Sequence, residues 1–279
     1  MYLKFYGLKE PPFSLTPDTQ FFLSYGHHRD ALSTLTIALE SGEGFIKLTG
    51  EIGTGKTLLC RKLLNDLDAR FYTAYIPNPM LSPESLIRAV ADELDIDTDS
   101  TNDQHQIMKQ ISHTLIKMCA GENKKQVLLC IDEAQSMPME TLEMMRLLTN
   151  LESEKKKLLQ VVLFGQPELD EKLAHKSIRQ LKQRITFSYN LEPLDLHGIT
   201  AYIKHRLLTA GSSGAIQFHP RAIKILQRGS RGYPRLINIL AHKSLMLSFA
   251  QGTMVITPRH VKAAIKDTEG AYKLRFWLW

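Results

Sequence analysis

The chain has 279 residues, of which 43% are hydrophobic and 23% charged, and its net charge is +6. This length allows one large domain or two smaller ones, and the composition excludes an intrinsically disordered chain. Three cysteines are too few for a disulfide scaffold, and the apolar runs of the sequence are far shorter than the ~20 residues of a membrane-spanning helix. We therefore expect a cytoplasmic protein, with peripheral attachment at the inner membrane left open.

The predicted elements begin after a mixed lead-in of residues 1–44, which holds one helical pattern around Arg29–Leu39. Short apolar runs then predict five strands, and apolar stripes predict helices between them. The predicted strands are Phe45–Thr49, Phe71–Ile76, Gln126–Ile131, Leu158–Phe164 and Ile185–Asn190. The predicted helices are Lys56–Leu67, Pro83–Leu94 with Ser82 as N-cap, Gln104–Ala120, Met139–Leu151 and a helical stretch over Glu168–Gln183. This alternation favours a parallel sheet covered by helices on both faces.

The pattern changes near Leu191–Leu194, after which helices are predicted without strands between them. These helices are Asp195–Ala210, Pro220–Arg228, Pro234–Gln251 and Pro258–Thr268. We predict an α/β nucleotide-binding domain over residues 1–192 and a small all-helical domain over residues 193–279. The second domain ends in a tail, Tyr272–Trp279, in which aromatic and basic residues alternate; it is suited either to docking on a partner or membrane or to packing on its own domain.

The charge is divided unevenly between these two parts. Residues 193–279 hold 13 Lys and Arg against 3 Asp and Glu, net +10, which leaves 22 against 26 in residues 1–192, net −4. A sign change of this size indicates two units with different electrostatic roles. The basic part is suited to nucleic acid, to an anionic membrane surface or to an acidic patch on another subunit, and the sequence leaves all three open.

The clearest motif lies between the first predicted strand and its helix, where residues 50–57 read GEIGTGKT and fit the phosphate-loop pattern GxxxxGK[ST]. Glycines let backbone N–H groups surround a phosphate, and the helix N-terminus adds partial positive charge. Lys56 would reach the β- and γ-phosphates, while the Thr57 hydroxyl would ligate Mg²⁺. The predicted nucleotide-binding residues are Gly50, Glu51, Ile52, Gly53, Thr54, Gly55, Lys56, Thr57 and Leu58.

An acidic pair follows the third predicted strand, in the sequence DEAQ. Because the carboxyl ends of parallel strands share one edge, Asp132 is expected near Thr57 as a Mg²⁺ partner. Glu133 is the candidate base that orients or deprotonates the attacking water. The alternative is an acidic helix start without a catalytic role.

Three further polar residues are candidates for stabilising the transferring phosphoryl group. Gln166 directly follows the fourth strand, where it could contact the γ-phosphate or the water. Arg184 precedes the fifth strand and could act on the nucleotide of a neighbouring subunit, with Arg179 as the alternative. Arg235 follows Pro234 at a helix start, so its position is fixed. In each case a plain turn or surface residue is the competing interpretation.

Together these motifs resemble the AAA+ ATPases, a family of P-loop NTPases with a helical lid. The segments FYGLKEPPFSLTPD, GEIGTGKT, DEAQ, FGQPEL, LKQRI and GYPRLIN resemble the general secretion pathway protein A group over nearly the whole chain. The resemblance implies ATP as the nucleotide, Gln166 as sensor 1, Arg184 as arginine finger and Arg235 as sensor 2. Members of the group continue into a membrane span and a periplasmic peptidoglycan-binding region, and we expect neither within these residues.

The resemblance also implies a homo-oligomer that hydrolyses ATP to assemble or remodel a type IV (MSHA-type) pilus or a secretion apparatus, with the assembly proteins as partners. Two other functions stay open. One is a DNA-binding AAA+ ATPase of the transposition-accessory kind, which shares the core and the DEAQ sequence. The other is a nucleotide-gated scaffold without turnover. The ten histidines show no metal-binding spacing and are interpreted as structural.

Overall fold

A computed structural model describes residues 2–98, 103–120, 124–150 and 157–273. The chain forms two compact units. The first, here the α/β unit, consists of Ala31–Glu51 and Leu59–Leu191. The second, here the helical unit, consists of the residues up to Asp30, the segment Ile52–Leu58 and the residues from Glu192 onward.

The α/β unit is built on a five-stranded sheet with the order β2-β3-β4-β1-β5, in which every pair is parallel. The strands are β1 Phe45–Thr49, β2 Phe71–Ile76, β3 Gln126–Ile131, β4 Leu159–Gly165 and β5 Phe187–Asn190. All residues of β4 are buried, as expected for a central strand covered on both faces. The predicted sheet is confirmed. The last strand begins two residues later than predicted because the N–H of Ile185 still bonds to the carbonyl of Lys182, closing the preceding turn.

Helices flank this sheet as predicted. They are α2 Gly26–Glu40, α3 Lys56–Asp66, α4 Pro83–Glu93, α5 Gln104–Cys119, α6 Met139–Leu148, α7 Glu168–Leu173 and α8 Arg179–Lys182. Ser82 caps α4, since its hydroxyl accepts a hydrogen bond of 3.2 Å from the N–H of Ser85. The prediction of one helical stretch over residues 168–183 is wrong. The backbone is extended at His175, whose ring caps a separate 3₁₀ turn at Lys176–Ile178.

The helical unit contains α1 Tyr2–Tyr6, α9 Leu196–Thr209, α10 Pro220–Ser230, α11 Pro234–Ala250 and α12 Pro258–Lys266. It also contains a short parallel pair, β6 Gln217–Phe218 and β7 Val255–Ile256, so the prediction of helices alone is wrong. Strands of two residues are too short to show an alternating pattern.

The lead-in of the chain packs within the helical unit. The hydroxyl of Tyr6 donates a hydrogen bond of 3.0 Å to the carbonyl of Leu245. Arg206, only 3% exposed, donates to the carbonyls of Pro12 and Ser14, and its guanidinium lies 4.6 Å from the ring centre of Phe21. These bonds satisfy a buried cation with backbone oxygens, which ties the lead-in to α9.

The C-terminal segment is described only as far as Lys273. The guanidinium of Arg231 lies 3.6 Å from the ring centre of Tyr272, the first residue of the predicted aromatic tail. The rest of that tail, residues 274–279, lies outside the described residues. In the part of the chain that is described, no helix combines the length and the apolar character needed to cross a bilayer.

Candidate nucleotide-binding site

The site begins at the carboxyl edge of the sheet, where β1 and β4 end at Thr49 and Gly165 in register. The N–H of Gly50 donates a hydrogen bond of 3.2 Å to the carbonyl of Gly165. The phosphate-loop sequence therefore starts at the same edge at which β3 ends before Asp132.

Asp132 is held rigidly at this edge. It is 2% exposed, its N–H donates to the carbonyl of Ile76 at 3.0 Å, and its Oδ1 accepts from the N–H of Glu133 at 2.9 Å. The hydroxyl of Tyr75 lies 3.5 Å from Oδ2. Burial, and next the negative charge of Asp132, raise the pKa of Tyr75 to about 12. Tyr75 thus keeps its proton and faces the carboxylate as a donor.

Glu133 stands at the centre of a hydrogen-bonded network. Its backbone adopts the left-handed conformation at φ 51°, and its Oε2 accepts from the amide of Gln135 at 2.6 Å and from the amide of Gln166 at 3.1 Å. The oxygen of Gln135 in turn accepts from the N–H of Gln166 at 3.0 Å. The two amides orient the carboxylate. The sequence analysis missed Gln135, although it is the last residue of the DEAQ sequence.

The phosphate loop is described within the helical unit from Ile52 onward. Gly53 and Gly55 have φ values of 81° and 100°. Residues with a Cβ rarely adopt such angles, so glycine is required for this backbone conformation. Lys56 is 6% exposed and Thr54 is fully buried. Lys56 and Thr57 form the first two positions of α3. Such an N-terminus suits a phosphate, because it offers N–H groups and partial positive charge.

Arg235 lies directly on this loop. Its N–H donates a hydrogen bond of 3.1 Å to the carbonyl of Gly53. A Cβ at Gly53 would lie 2.8 Å from the Cβ of Arg235, so only glycine fits. Pro234 is the first residue of α11, and its fixed φ restrains the direction in which the helix starts, next to Arg235. The structure therefore brings Arg235 and the loop together, with the arginine side chain exposed.

His28 is a second contact of the loop, and the sequence analysis missed it. Its Nε2 lies 2.7 Å from the carbonyl of Thr54, and the side chain is 7% exposed. Burial lowers the pKa of His28, so the ring is neutral and donates through Nε2–H. Its Nδ1 is a buried acceptor without a hydrogen-bond partner among the described residues.

A small cavity of about 30 Å³ adjoins this histidine within the helical unit. Its lining includes His28, Gly55, Phe22, Leu194 and Tyr202. This lining is mostly apolar and aromatic, and it reaches the phosphate loop through Gly55.

Arg184, the predicted finger, makes hydrogen bonds within its own unit. Its Nη1 donates to the carbonyl of Arg146 at 3.2 Å and lies 3.3 Å from the hydroxyl of Thr149. It therefore satisfies one carbonyl group near the C-terminal end of α6, where a cation is favourable. Arg179, the alternative, is exposed at the start of α8.

The types of donor residue at the two sequence motifs are compatible with a magnesium ion bound together with a nucleotide. Among the described residues, no group of three or more His, Cys, Asp and Glu side chains could hold a metal by itself. Mg²⁺ bound with a nucleotide needs few protein ligands, because phosphates and waters supply the rest. Thr57 in the helical unit offers a hydroxyl and Asp132 in the α/β unit offers a carboxylate, and each is a hard oxygen donor of the kind that Mg²⁺ prefers.

The strand order and the phosphate loop after β1 define a P-loop fold of the AAA type, and residues 39–173 match the family described as "AAA domain". Three solved structures share the fold. The ORC2 protein of Aeropyrum pernix has a TM-score of 0.66 at 16% identity, covering 91% of this chain and 72% of that one. Cdc6p of Pyrobaculum aerophilum has a TM-score of 0.66 at 20% identity, covering 90% and 70%. The RuvB Holliday junction branch migration motor of Thermotoga maritima has a TM-score of 0.57 at 16% identity, covering 86% and 68%.

A curated relative is considerably more similar in sequence. The chain is related to general secretion pathway protein A of Aeromonas hydrophila, with 42% identity over 271 residues. The match takes in 97% of this chain and 49% of the relative. The chain thus spans about half the length of the curated relative it matches.

Proposed function

We propose that the chain binds and hydrolyses ATP with Mg²⁺ and uses the free energy to assemble or remodel a secretion apparatus or a type IV (MSHA-type) pilus. The observation that carries this proposal is the carboxylate of Glu133, which two glutamine amides hold at the sheet edge where the phosphate loop begins. A loop that surrounds the phosphates accounts for nucleotide binding but not for hydrolysis. An oriented carboxylate beside it supports hydrolysis, because it can position the attacking water.

Each residue of the site has one role in this proposal. The loop of residues 50–58 cradles the phosphates, and Lys56 neutralises their charge. Thr57 and Asp132 hold Mg²⁺, which stabilises the charge that develops on the phosphoryl oxygens. Glu133 orients the water, and Gln166 holds Glu133 while its remaining N–H stays available for the γ-phosphate or the water.

Two residues of the helical unit contact the phosphate loop, and both have a role in this proposal. Arg235 responds to the γ-phosphate, because its backbone is bonded to the loop at Gly53. His28 fixes the loop through its hydrogen bond with the carbonyl of Thr54. The proposal assigns nucleotide binding to the predicted domain of residues 1–192 and the function of a lid domain to residues 193–279.

The proposed ATPase is a homo-oligomer in the cytoplasm, where ATP is available, and attachment to the inner membrane stays open. Arg184 of one subunit, or Arg179 in its place, acts on the nucleotide of the next. The sequence identity of 42% with a general secretion pathway protein supports secretion or pilus assembly proteins as partners. Within that group, we propose the MSHA pilus biogenesis protein MshM as the nearest in role.

A DNA-binding ATPase of the transposition-accessory kind is the second candidate. The observation in its favour is the net charge of +10 in residues 193–279. A nucleotide-gated scaffold without turnover is the third candidate, and the hydrolysis experiment below separates it from the first two.

The test measures the binding of fluorescent ATP and the release of phosphate on the purified chain. Lys56→Ala is expected to abolish binding, while Lys109→Ala, an exposed lysine of α5, leaves it unchanged. Glu133→Gln is expected to bind ATP and to lose release by 10²-fold or more, a typical order for a general base. Glu140→Gln, an exposed carboxylate of α6, serves as its control. Unaltered phosphate release by Glu133→Gln would refute the role of Glu133 as the base. If the native chain binds ATP but releases no phosphate, the third candidate, a scaffold without turnover, would be supported.

A further inference from the structure

The short sheet of the helical unit aligns two segments that are 38 residues apart. Gln217 pairs with Val255 and Phe218 pairs with Ile256, in parallel. Each strand is followed by one residue and then by a proline that begins a helix, Pro220 for α10 and Pro258 for α12. The register therefore starts both helices at the same edge of the sheet, after linkers of equal length.

This alignment puts basic residues at matching places in the two helices. The same offset of 38 relates Arg221 to Arg259, Lys224 to Lys262 and Arg228 to Lys266. All six side chains are exposed. Neither helix contains an acidic residue along its length, and both are described in full.

Each set of three cations forms a stripe on one face of its helix. Positions i, i+3 and i+7 lie within about 60° of one another around a helix and span about 10 Å along it. The opposite faces are buried at matching positions too, Ala222 with His260 and Leu226 with Ala264. The apolar sides thus fix the outward direction of both stripes.

The two helices also pack closely against each other. A Cβ at Gly229 would lie 2.4 Å from the Cδ1 of Ile265, so the glycine permits the contact. Packed helices lie about 8–10 Å apart. The two stripes therefore belong to one surface, here named the six-cation face: Arg221, Lys224, Arg228, Arg259, Lys262 and Lys266.

Two carboxylates follow the end of α12 along the chain, those of Asp267 and Glu269. Asp267 follows α12, but its carboxylate and its carbonyl accept from the ammonium of Lys243 at 2.8 and 2.7 Å. Glu269 lies two residues further along the chain and is exposed. Six cations stand against these two carboxylates, one of which is bonded to Lys243, and such an excess of positive charge attracts a polyanion.

We propose that the six-cation face binds the sugar–phosphate backbone of double-stranded nucleic acid. A duplex carries one negative charge per ~1.7 Å of its axis when both strands are counted, so it presents closely spaced phosphates along the ~10 Å of each stripe. An interfacial membrane helix would need apolar side chains beside its cations. In α10 and α12 the large apolar side chains are buried or half-buried, which favours a phosphate backbone over a lipid surface.

The proposal is independent of ATP hydrolysis, so the two can fail separately. The experiment measures the fluorescence anisotropy of a labelled 25-base-pair DNA duplex with the full chain over a series of salt concentrations. With six phosphate contacts, the plot of log affinity against log salt has an expected slope of about −5. Replacing the three cations of α10, or the three of α12, by Gln is expected to reduce that slope by about 2.7 and the affinity near 0.1 M salt by about 10²-fold or more.

Two matched variants control for lost charge and lost folding. Lys109, Lys117 and Lys176 are exposed cations of the α/β unit, and replacing all three by Gln is expected to leave the slope unchanged. Replacing Lys224, Lys262 and Lys266 by Arg keeps the charge and is expected to keep the binding. ATP turnover without DNA is expected to be the same in all these variants.

Three outcomes would overturn the proposal. The first is duplex binding that falls equally in the face variants and in the α/β control. The second is the absence of duplex binding by a native chain that still binds ATP. The third is binding to phosphatidylglycerol vesicles, but not to the duplex, that is lost in the face variants; it would assign the surface to anionic lipid.

Discussion

The side-chain amide of Gln166 donates a hydrogen bond of 3.1 Å to the carboxylate of Glu133. These two residues follow neighbouring strands of the sheet, β4 and β3. The residue predicted to sense the nucleotide is therefore bonded to the residue predicted to activate the water. A change at one is expected to reach the other without any movement of the backbone.

Gln166→Leu is expected to lower the rate of ATP turnover by about 10²-fold, because Glu133 loses a fixed donor and its carboxylate turns away. ATP binding is expected to stay within about threefold, since the phosphate cradle is intact. Steady-state phosphate release and ATP titration measure the two effects. Gln183→Leu, at an exposed position outside the network, is the control, and a loss of binding as large as the loss of rate would contradict this assignment.

Arg184→Ala is expected to lose about 10³-fold or more in turnover if the arginine acts on a neighbouring subunit. Its bonds to Arg146 and Thr149 predict a second effect, a small loss of stability at the end of α6. Mixing Arg184→Ala with Lys56→Ala protein is expected to restore part of the activity, because one interface then has both groups. If thermal stability falls while turnover is unchanged, Arg184 only caps its helix, and Arg179→Ala becomes the next variant to measure.

The buried His28 predicts that the protein loses stability in acid. Burial lowers its pKa below the ordinary value of 6.5 in the folded chain. The unfolded chain therefore binds more protons below about pH 6.5, and the free energy of unfolding falls as the pH falls. His205, His242 and His260 add to this trend, since burial lowers their pKa values as well.

His28→Gln is expected to reduce the pH dependence of stability, because the amide can still donate to Thr54 without taking up a proton. Urea unfolding between pH 5.5 and 7.5 measures the difference. The exposed His105, replaced in the same way, provides the comparison. An unchanged pH dependence in His28→Gln would mean that the folded chain accommodates the charged ring.

Gly232→Ala is expected to destabilise the helical unit by about 2–4 kcal/mol, the sum of a left-handed backbone and an overpacked contact. Gly232 has φ 83°, and a Cβ there would lie 2.1 Å from the carbonyl oxygen of Leu194. Gly214 has a similar φ of 93° with open space around it, so Gly214→Ala isolates the backbone part. Equal losses in the two variants, measured by urea unfolding, would show that the contact with Leu194 relaxes easily.

Local sequence patterns predicted the five parallel strands and the helices around them, because each strand is a continuous apolar run with its own turn residues. The phosphate loop was predictable for the same reason, since its glycines and lysine are contiguous. The contacts of His28 with Thr54 and of Gln166 with Glu133 join residues far apart in the chain. Such contacts form only in the folded chain, so they could not be predicted from local sequence patterns.

The strands β6 and β7 show a further limit of sequence analysis. Two residues cannot display an alternation, so the pair is found only through its hydrogen bonds. The equal spacing of proline and basic residues in α10 and α12 is present in the sequence, but it is too short to be significant by itself. The pairing of β6 with β7 shows that the two segments are aligned in the fold. The prediction of helices alone failed here because tertiary pairing decides the conformation of such short segments.

The linker between β7 and Pro258 is one residue long, and its length determines which face of α12 is turned toward the core. Deleting Thr257 would turn the helix by about 100° about its axis relative to the strand, as each residue of an α-helix contributes that angle. The charged stripe would then rotate toward the core, and the apolar residues would rotate toward water. An insertion or deletion between β7 and Pro258 is therefore expected to be tolerated only if the apolar and charged positions of α12 change with it.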